Sequence, residues 1–223
     1  SRISHKPTTK QRGIEYIDFP SPNTRGGPPG SGAASAGLRT SLPYQLPTAN
    51  NMTAKTLVFT SAALNYIPKV RMLFNSLREF HPEIELHLAL SDLLPSDVDL
   101  SGEPFDEVHP IDTLGIDQWR PWAFCHNIVE LSTAIKPFVL QKLLARPDVA
   151  RVIYFDPDMV LFSRLDDMLD RLVEGDADVV LTPHQTDPDS SLRAVMDNEI
   201  SSLKHGIYNL GFVGVRTTDE GKR

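Results

Sequence analysis

Two aspartates separated by a proline, Asp156-Pro157-Asp158, have the residue types and the spacing best suited to chemistry in this sequence. They follow four apolar residues, 152–155, whose pattern predicts a buried strand. Proline fixes its own φ angle and favours an extended conformation in the preceding residue, so the tripeptide would hold two carboxylates rigidly. Two hard oxygen ligands with open positions beside them suit Mg²⁺ or Mn²⁺ holding a diphosphate. The alternative interpretation is a surface turn, because Asp-Pro-Asp also favours turns.

The elements that must position these aspartates alternate along the chain from Thr56 onward. Apolar runs and period-2 patterns predict strands at 57–60, 85–90, 105–109, 152–155, 179–181 and 210–215. Helical spacing predicts helices over 67–77, 129–143, 165–172 and 190–203. This alternation predicts an α/β fold, a Rossmann-type three-layer α/β/α sandwich with a mostly parallel sheet. Ligands of such sheets bind beyond the carboxyl ends of the strands, which is where the two aspartates would lie.

Residues 1–53 differ in composition from the rest of the chain. They are rich in Pro, Gly, Ser and Thr and have few apolar clusters, which predicts a flexible leader before a catalytic domain over 54–223. Only the short alternating run 14–19 is compatible with an edge strand. Because the sequence lacks an initiator Met and stops soon after a strand-like run, we expect both ends to be cuts in a longer polypeptide.

The composition limits the classes of partner. The chain has 223 residues, 40 % of them hydrophobic and 23 % charged, as expected for one soluble globular domain. A formal net charge of −7 argues against nucleic acid as a partner, and no run is long and apolar enough to span a membrane. Cys125 is the only cysteine, so no intrachain disulfide can form, which agrees with the cytoplasmic location that we expect.

Four segments of the chain resemble motifs of GT-A-fold glycosyltransferases and keep their order. Residues 153–160, Ile-Tyr-Phe-Asp-Pro-Asp-Met-Val, resemble the Asp-X-Asp strand of retaining enzymes of the glycogenin and lipopolysaccharide-galactosyltransferase type, glycosyltransferase family 8. Residues 60–66 resemble the loop that holds the nucleotide base, and 131–137 the helix with a basic residue. Residues 208–215 resemble the Phe-Asn-X-Gly segment near the acceptor. The resemblance implies a GT-A-like fold and metal-dependent, retaining transfer of a sugar from a nucleoside diphosphate sugar, which we expect to be UDP-linked.

The resemblance also implies a metal site. Asp156 and Asp158 are the expected ligands of Mn²⁺ or Mg²⁺. The downstream histidine ligand of such enzymes would lie beyond residue 223, so His184, which follows a predicted strand, is the candidate for a local substitute.

The expected donor-binding residues are Thr60, Ala62, Asn65, Lys136 and Asp156. Lys136 stands where the family more often has arginine, so it would meet the diphosphate as a point charge rather than through a bidentate contact. A solvated lysine and a turn-forming Asn65 are the alternatives. Asn209 and Gly211 are expected near the acceptor, against the alternative of a tight strand entry in which glycine allows close packing.

The acceptor, a saccharide, lipid or protein, cannot be chosen from the sequence, and no residue can be named as nucleophile. One rival hypothesis is a non-catalytic module that binds a sugar or nucleotide. Another is a nucleotidyltransferase, which usually has a Gly-rich, basic loop after the first strand. The loop 61–65 has neither glycine nor arginine, which argues against this second rival.

Overall fold

The computed structural model describes residues 14–16, 54–173, 177–187 and 189–223. The predicted leader over 1–53 lies outside the described residues, except for the backbone of 14–16. Among the described residues, no helix has both the length and the apolar character needed to cross a bilayer.

Seven strands form a single sheet. They are β1 (Ile14–Tyr16), β2 (Lys55–Ala62), β3 (Glu85–Leu90), β4 (Glu107–Pro110), β5 (Val149–Phe155), β6 (Val179–Pro183) and β7 (Tyr208–Arg216). Their order across the sheet is β1-β6-β7-β5-β2-β3-β4. All neighbours are parallel except for β7, which runs antiparallel to both β5 and β6. The mostly parallel α/β fold predicted from the sequence is therefore confirmed, while the direction of β7 is a feature that periodicity alone did not indicate.

Six α-helices lie among the described residues. They are α1 (Ile67–Phe80), α2 (Trp119–Phe124), α3 (Ile128–Ala134), α4 (Lys136–Leu144), α5 (Asp166–Arg171) and α6 (Leu192–His205). The single helix predicted over 129–143 is two helices, because the helical hydrogen bonding is interrupted at Ile135 and α4 begins with Pro137 in its first turn. This break gives α3 and α4 separate amino termini next to the carboxyl edge of the sheet.

Two hydrophobic clusters cover the faces of the sheet. On one face α1 buries apolar residues at helical spacing, including Val70, Leu73 and Leu77. The other face is covered by α3 and α4, through residues such as Leu131 and Val139. The central strands β2 and β5 contribute alternate side chains to both clusters, since successive strand residues point to opposite faces.

Candidate functional site

A pocket opens at the carboxyl ends of β2 and β5, where they meet the amino-terminal parts of α3 and α4. Its volume is about 290 Å³. The loop after β2 and the segment Asp156–Asp158 form one part of the wall, and α3 with Lys136 forms another. The pocket therefore lies at the edge of the sheet where a parallel α/β fold binds its ligands.

Asp156 is held by three contacts at the floor of this pocket. Its Oδ1 accepts a hydrogen bond of 2.6 Å from the Tyr154 hydroxyl and one of 3.1 Å from Lys136 Nζ. Its backbone N–H donates to the carbonyl of Gly211 at 2.8 Å. The Lys136 ammonium also lies 4.2 Å from the centroid of the Tyr154 ring. The carboxylate is thus fixed in one orientation before any ligand binds.

The Tyr154 hydroxyl is a permanent donor to this carboxylate. The residue is only 1 % exposed. Burial, reinforced by the charge of Asp156 and by the hydrogen bond to it, raises the pKa of the phenol well above its usual range. The hydroxyl therefore stays protonated at every physiological pH. It also lies 3.2 Å from Ser61 Oγ, which connects it to β2.

The oxygen ligands here fit a hard divalent cation. Asp158 is exposed and lies on the same pocket wall as Asp156. The second oxygen of Asp156, Oδ2, lies over Gly211, so close that an added Cβ on that glycine would be 3.0 Å from it. Two carboxylates beside an open cavity match the preference of Mg²⁺ and Mn²⁺ for oxygen ligands completed by water or phosphate.

Five of the residues predicted from the sequence come together on this wall, namely Ala62, Asn65, Lys136, Asp156 and Asp158. They originate from three separate parts of the chain. Their spatial proximity agrees with the order of motifs in the sequence, and their individual roles in ligand binding remain predictions.

The side chain of Thr60 does not belong to this wall. It is fully buried, and its hydroxyl donates a 2.7 Å hydrogen bond to the carbonyl of Phe155. This bond ties β2 to β5 directly below the pocket. The side chain of Thr60 therefore has a structural role, while a donor contact through its backbone groups, the form in which it is expected, stays a prediction.

His184 lies in a different depression, which it shares with Asp189, Asn198 and His205. It is exposed, and its Nδ1–H donates to the carbonyl of Gly206 at 3.0 Å. The structure does not bring it to the aspartates, because β7 lies between β6, which ends at Pro183, and β5. His184 is therefore not among the residues that line the pocket of Asp156 and Asp158, and its role as a metal ligand stays a prediction.

Asn209 and Gly211 lie on β7 beside Asp156. The Asn209 side chain turns back to its own strand, where Oδ1 accepts from the Gly211 N–H at 2.8 Å. Gly211 is packed tightly, with both Asp156 Oδ2 and Asn209 Oδ1 3.0 Å from the position that a Cβ would occupy. The close packing that was the alternative for Gly211 is therefore observed, while the acceptor role of both residues remains a prediction.

Sequence reasoning missed Tyr154 and the part of α3 that faces the pocket. Tyr154 was taken only as part of a buried strand, although it lies two residues before Asp156 and thus on the same face of β5. Ile128, Val129 and Thr133 also line the cavity. The signal for the start of α3 was Asn127 followed by Glu130, which forms a capping box.

A second cluster of ligand-type side chains, absent from the sequence-based prediction, lies between β3 and β4. His87, Glu107 and His109 offer ligand atoms that all lie within 4.8 Å of one another. Burial lowers the pKa of His87 and of His109 to about 4 each, with Lys142 reinforcing the effect on His109. Sequence inspection did not find the cluster because its members come from two strands with no close sequence spacing.

Fold and pocket together define a mostly parallel α/β domain with a carboxylate-lined cavity at the carboxyl edge of its sheet. No protein-family model and no curated protein matches the chain. Among solved structures it is similar to galactosyltransferase LgtC in complex with donor and acceptor sugar analogs, at 16 % identity and a TM-score of 0.46, over 75 % of this chain and 60 % of that one.

Two other similar structures come from different organisms. Mouse xyloside xylosyltransferase 1 has 13 % identity and a TM-score of 0.45, over 75 % of this chain and 68 % of that one. GlyE of Streptococcus pneumoniae TIGR4 has 15 % identity and a TM-score of 0.42, over 74 % of this chain and 34 % of that one. The present chain thus spans less than two thirds of the length of LgtC and about a third of GlyE.

Proposed function

We propose that this domain binds a nucleoside diphosphate sugar, expected to be UDP-linked, in the pocket at the carboxyl edge of the sheet and transfers the sugar to an acceptor. The proposal rests on one observation: Asp156, Asp158 and Lys136 line the same cavity as the loop after β2. A diphosphate needs positive charge, and this wall offers one ammonium and a carboxylate pair able to hold a divalent cation.

Asp156 and Asp158 would hold Mn²⁺ or Mg²⁺, and the cation would neutralise negative charge that develops on the leaving nucleoside diphosphate. The protein's own contribution is to keep the Asp156 carboxylate oriented, through Tyr154 and the backbone of β7. Lys136 adds a positive charge that is only 19 % exposed and close enough to meet a phosphate oxygen beside Asp156.

The nucleoside would lie against the loop after β2. Ala62 and Asn65 line the cavity there, and the backbone of Leu64 is fixed by a 2.7 Å hydrogen bond from its N–H to Asp92 Oδ2. A loop held in this way can recognise a base through backbone groups without losing further conformational entropy. The sequence resemblance implies retention of anomeric configuration and leaves a saccharide, lipid or protein as acceptor.

The first test is isothermal titration of the protein with UDP, in Mn²⁺ and then with EDTA in place of the metal. We expect binding that requires metal and that falls about 100-fold or more, about 2.7 kcal/mol, in Asp156→Asn/Asp158→Asn. The control is Asp167→Asn/Asp170→Asn, which removes two exposed negative charges from α5, outside the pocket. UDP binding that is equally tight in EDTA and in the pocket variant would contradict the proposed metal and diphosphate site.

Transfer is tested by incubating the protein with UDP-sugars and following UDP release and the anomer of the product by NMR. Retained configuration and metal-dependent release are the expected results. Metal-dependent UDP binding without release from any UDP-hexose or UDP-pentose, with or without saccharide acceptors, would instead favour the non-catalytic binding module.

A further inference from the structure

The second candidate site is the histidine cluster, formed by His87, Glu107 and His109. His87 pairs with Glu107, and Ala89 with His109, across the parallel ladder of β3 and edge strand β4. Because residues two apart on a strand share a face, all three side chains lie on one face of the sheet. The hydrophobic cluster that includes Ala89 and α4 covers this face.

The cluster is distinct from the pocket that holds Asp156. Lys142, which reaches the cluster, lies six residues beyond Lys136 on α4, and this corresponds to a rise of about 9 Å along the helix. Both histidines are also buried, at 0 % and 1 % exposure, while the Glu107 side chain is 48 % exposed. The histidine cluster therefore has its own opening to solvent, over the edge of the sheet.

The hydrogen bonds of the two imidazoles leave one buried nitrogen without a partner. Lys142 Nζ can only donate, so His109 Nδ1 accepts from it at 3.1 Å and carries its proton on Nε2. That Nε2–H then donates to His87 Nδ1 at 3.0 Å, which puts the proton of His87 on its own Nε2. His87 Nε2 is buried and has no hydrogen-bond partner among the described residues. Glu85 Oε1 lies 3.2 Å away, but not in hydrogen-bonding geometry.

We propose that His87, Glu107 and His109 form a zinc site that fastens the edge strand β4 to β3. His87 Nδ1 and His109 Nε2 are 3.0 Å apart, close to the separation of about 3.3 Å between neighbouring ligand atoms at tetrahedral bond lengths of about 2.0–2.1 Å. Glu107 Oε2 is 3.6 Å from His87 Nδ1, and the ligand atoms of the three residues all lie within 4.8 Å of one another. Water would complete the coordination from the exposed side of Glu107.

The donor set distinguishes this ion from the one proposed for the pocket. Two imidazoles and one carboxylate suit Zn²⁺, whereas Mg²⁺ and Mn²⁺ prefer the oxygen ligands of Asp156 and Asp158. Glu85 adds a feature common around zinc ligands, a carboxylate beside the second nitrogen of a coordinating histidine. A small movement on metal binding would let His87 Nε2–H donate to it.

Binding of the ion has a defined effect on Lys142. When His109 Nε2 binds the metal, the proton of this imidazole moves to Nδ1, on the side of the ring that faces away from the ion. Lys142 then has no acceptor on His109 and must turn away from the cluster. The ammonium therefore opposes metal binding, and its removal is expected to strengthen it.

The experiment uses chelator-treated protein titrated with Co²⁺, a spectroscopic substitute for Zn²⁺, followed by competition with Zn²⁺. We expect one equivalent of Co²⁺ with the intense visible bands of a low-coordinate site, displaced by Zn²⁺, and a higher melting temperature in Zn²⁺. Asp156→Asn/Asp158→Asn should keep both signals, which separates this site from the pocket. Absence of stoichiometric Co²⁺ binding, or its loss in that variant, would overturn the proposal.

Two variants sharpen the test without removing a buried side chain. Glu107→Gln should weaken Co²⁺ binding at least tenfold, and Lys142→Met should strengthen it severalfold. Glu79→Gln, on an exposed position of α1, is the matched control and should change nothing. Unchanged affinity in Glu107→Gln, or weaker binding in Lys142→Met, would show that Co²⁺ binds elsewhere and would overturn the assignment.

Discussion

At the scale of single residues, the pocket depends on how one carboxylate is held. The carboxylate of Asp156 accepts from a phenol and an ammonium, and its backbone N–H donates to a carbonyl. Asp156 is therefore oriented by the protein and not by its ligand. Preorganisation of this kind lowers the cost of binding, because the protein pays for the ordering when it folds. The two neighbours of Asp156 Oδ1 have different consequences, which can be separated by mutation.

Tyr154→Phe removes the hydroxyl and keeps the ring in the core. Because hydrogen bonds to charged groups contribute about 1.5–3 kcal/mol, we expect metal-dependent UDP affinity to fall about tenfold or more. Titration calorimetry measures this loss. Thr113→Val is the control, since it removes a hydroxyl that donates to the Pro110 carbonyl outside the pocket and should matter less than threefold. Equal effects of the two variants would contradict the positioning role of Tyr154.

Lys136→Met is expected to separate metal binding from diphosphate binding. The ammonium lies on Asp156 Oδ1, where it competes with a cation, and it also supplies positive charge for the phosphates. We therefore expect Mn²⁺ alone to bind at least as tightly as in the wild type, while UDP with Mn²⁺ binds about tenfold more weakly. Calorimetry with Mn²⁺ alone and then with UDP gives both numbers. If Lys136→Met bound Mn²⁺ alone more weakly than the wild type does, the proposed competition between the ammonium and the cation would be contradicted.

At the scale of elements, the antiparallel strand β7 is the support of the site. It lies beside β5, accepts the Asp156 N–H through Gly211 and leaves no room for a side chain there. The interruption between α3 and α4 places Lys136 at the first position of α4. The pocket is therefore built by the ends of four elements, and it is sensitive to small shifts of any one of them.

Gly211→Ala is expected to displace the Asp156 carboxylate, because the new Cβ would lie 3.0 Å from both Oδ2 and Asn209 Oδ1. We expect metal-dependent UDP affinity to fall at least tenfold, with a loss of about 1–3 kcal/mol in the free energy of unfolding. Calorimetry and urea denaturation measure the two effects. Gly102→Ala is the control, since a Cβ there meets nothing within 4 Å. Wild-type affinity in Gly211→Ala would show that the carboxylate tolerates the shift.

At the scale of the whole molecule, the sheet separates two hydrophobic clusters that stabilise the fold from opposite faces. Ile84 belongs to the cluster under α1 and Ile135 to the cluster under α3 and α4, and both are at most 1 % exposed. Each face would therefore respond to a deleted methyl group without disturbing the packing of the other.

Ile84→Val and Ile135→Val should each lower the free energy of unfolding by about 0.5–1.5 kcal/mol. Because the sheet lies between the two sites, the double variant should equal the sum within about 0.5 kcal/mol. Urea denaturation of the wild type, the two single variants and the double variant measures the four free energies of this double-mutant cycle. A larger deviation from additivity would mean that the two faces are coupled through the central strands.

Several features could be predicted from the sequence because they depend on local patterns. Apolar periodicity identified β3 over its full length, α1 except for its last three residues and the carboxyl-terminal half of β5, and the alternation of elements indicated the mostly parallel sheet. Asp156-Pro157-Asp158 was placed at the carboxyl edge because a strand must deliver the residue that follows it to that edge. Motif order also selected Ala62, Asn65 and Lys136, which do share one cavity.

Only the tertiary structure decided which side chains meet. The direction of β7 and its insertion between β5 and β6 remove His184 from the aspartates, and the pairing of β3 with β4 creates the histidine cluster. Tyr154 became part of the site through its contact with Asp156. The physical reason is that periodicity records which face of an element is apolar, whereas strand order and pairing arise from contacts between residues far apart in the chain. The sequence by itself therefore determined the elements and the aspartate turn, and folding in three dimensions determined the partners.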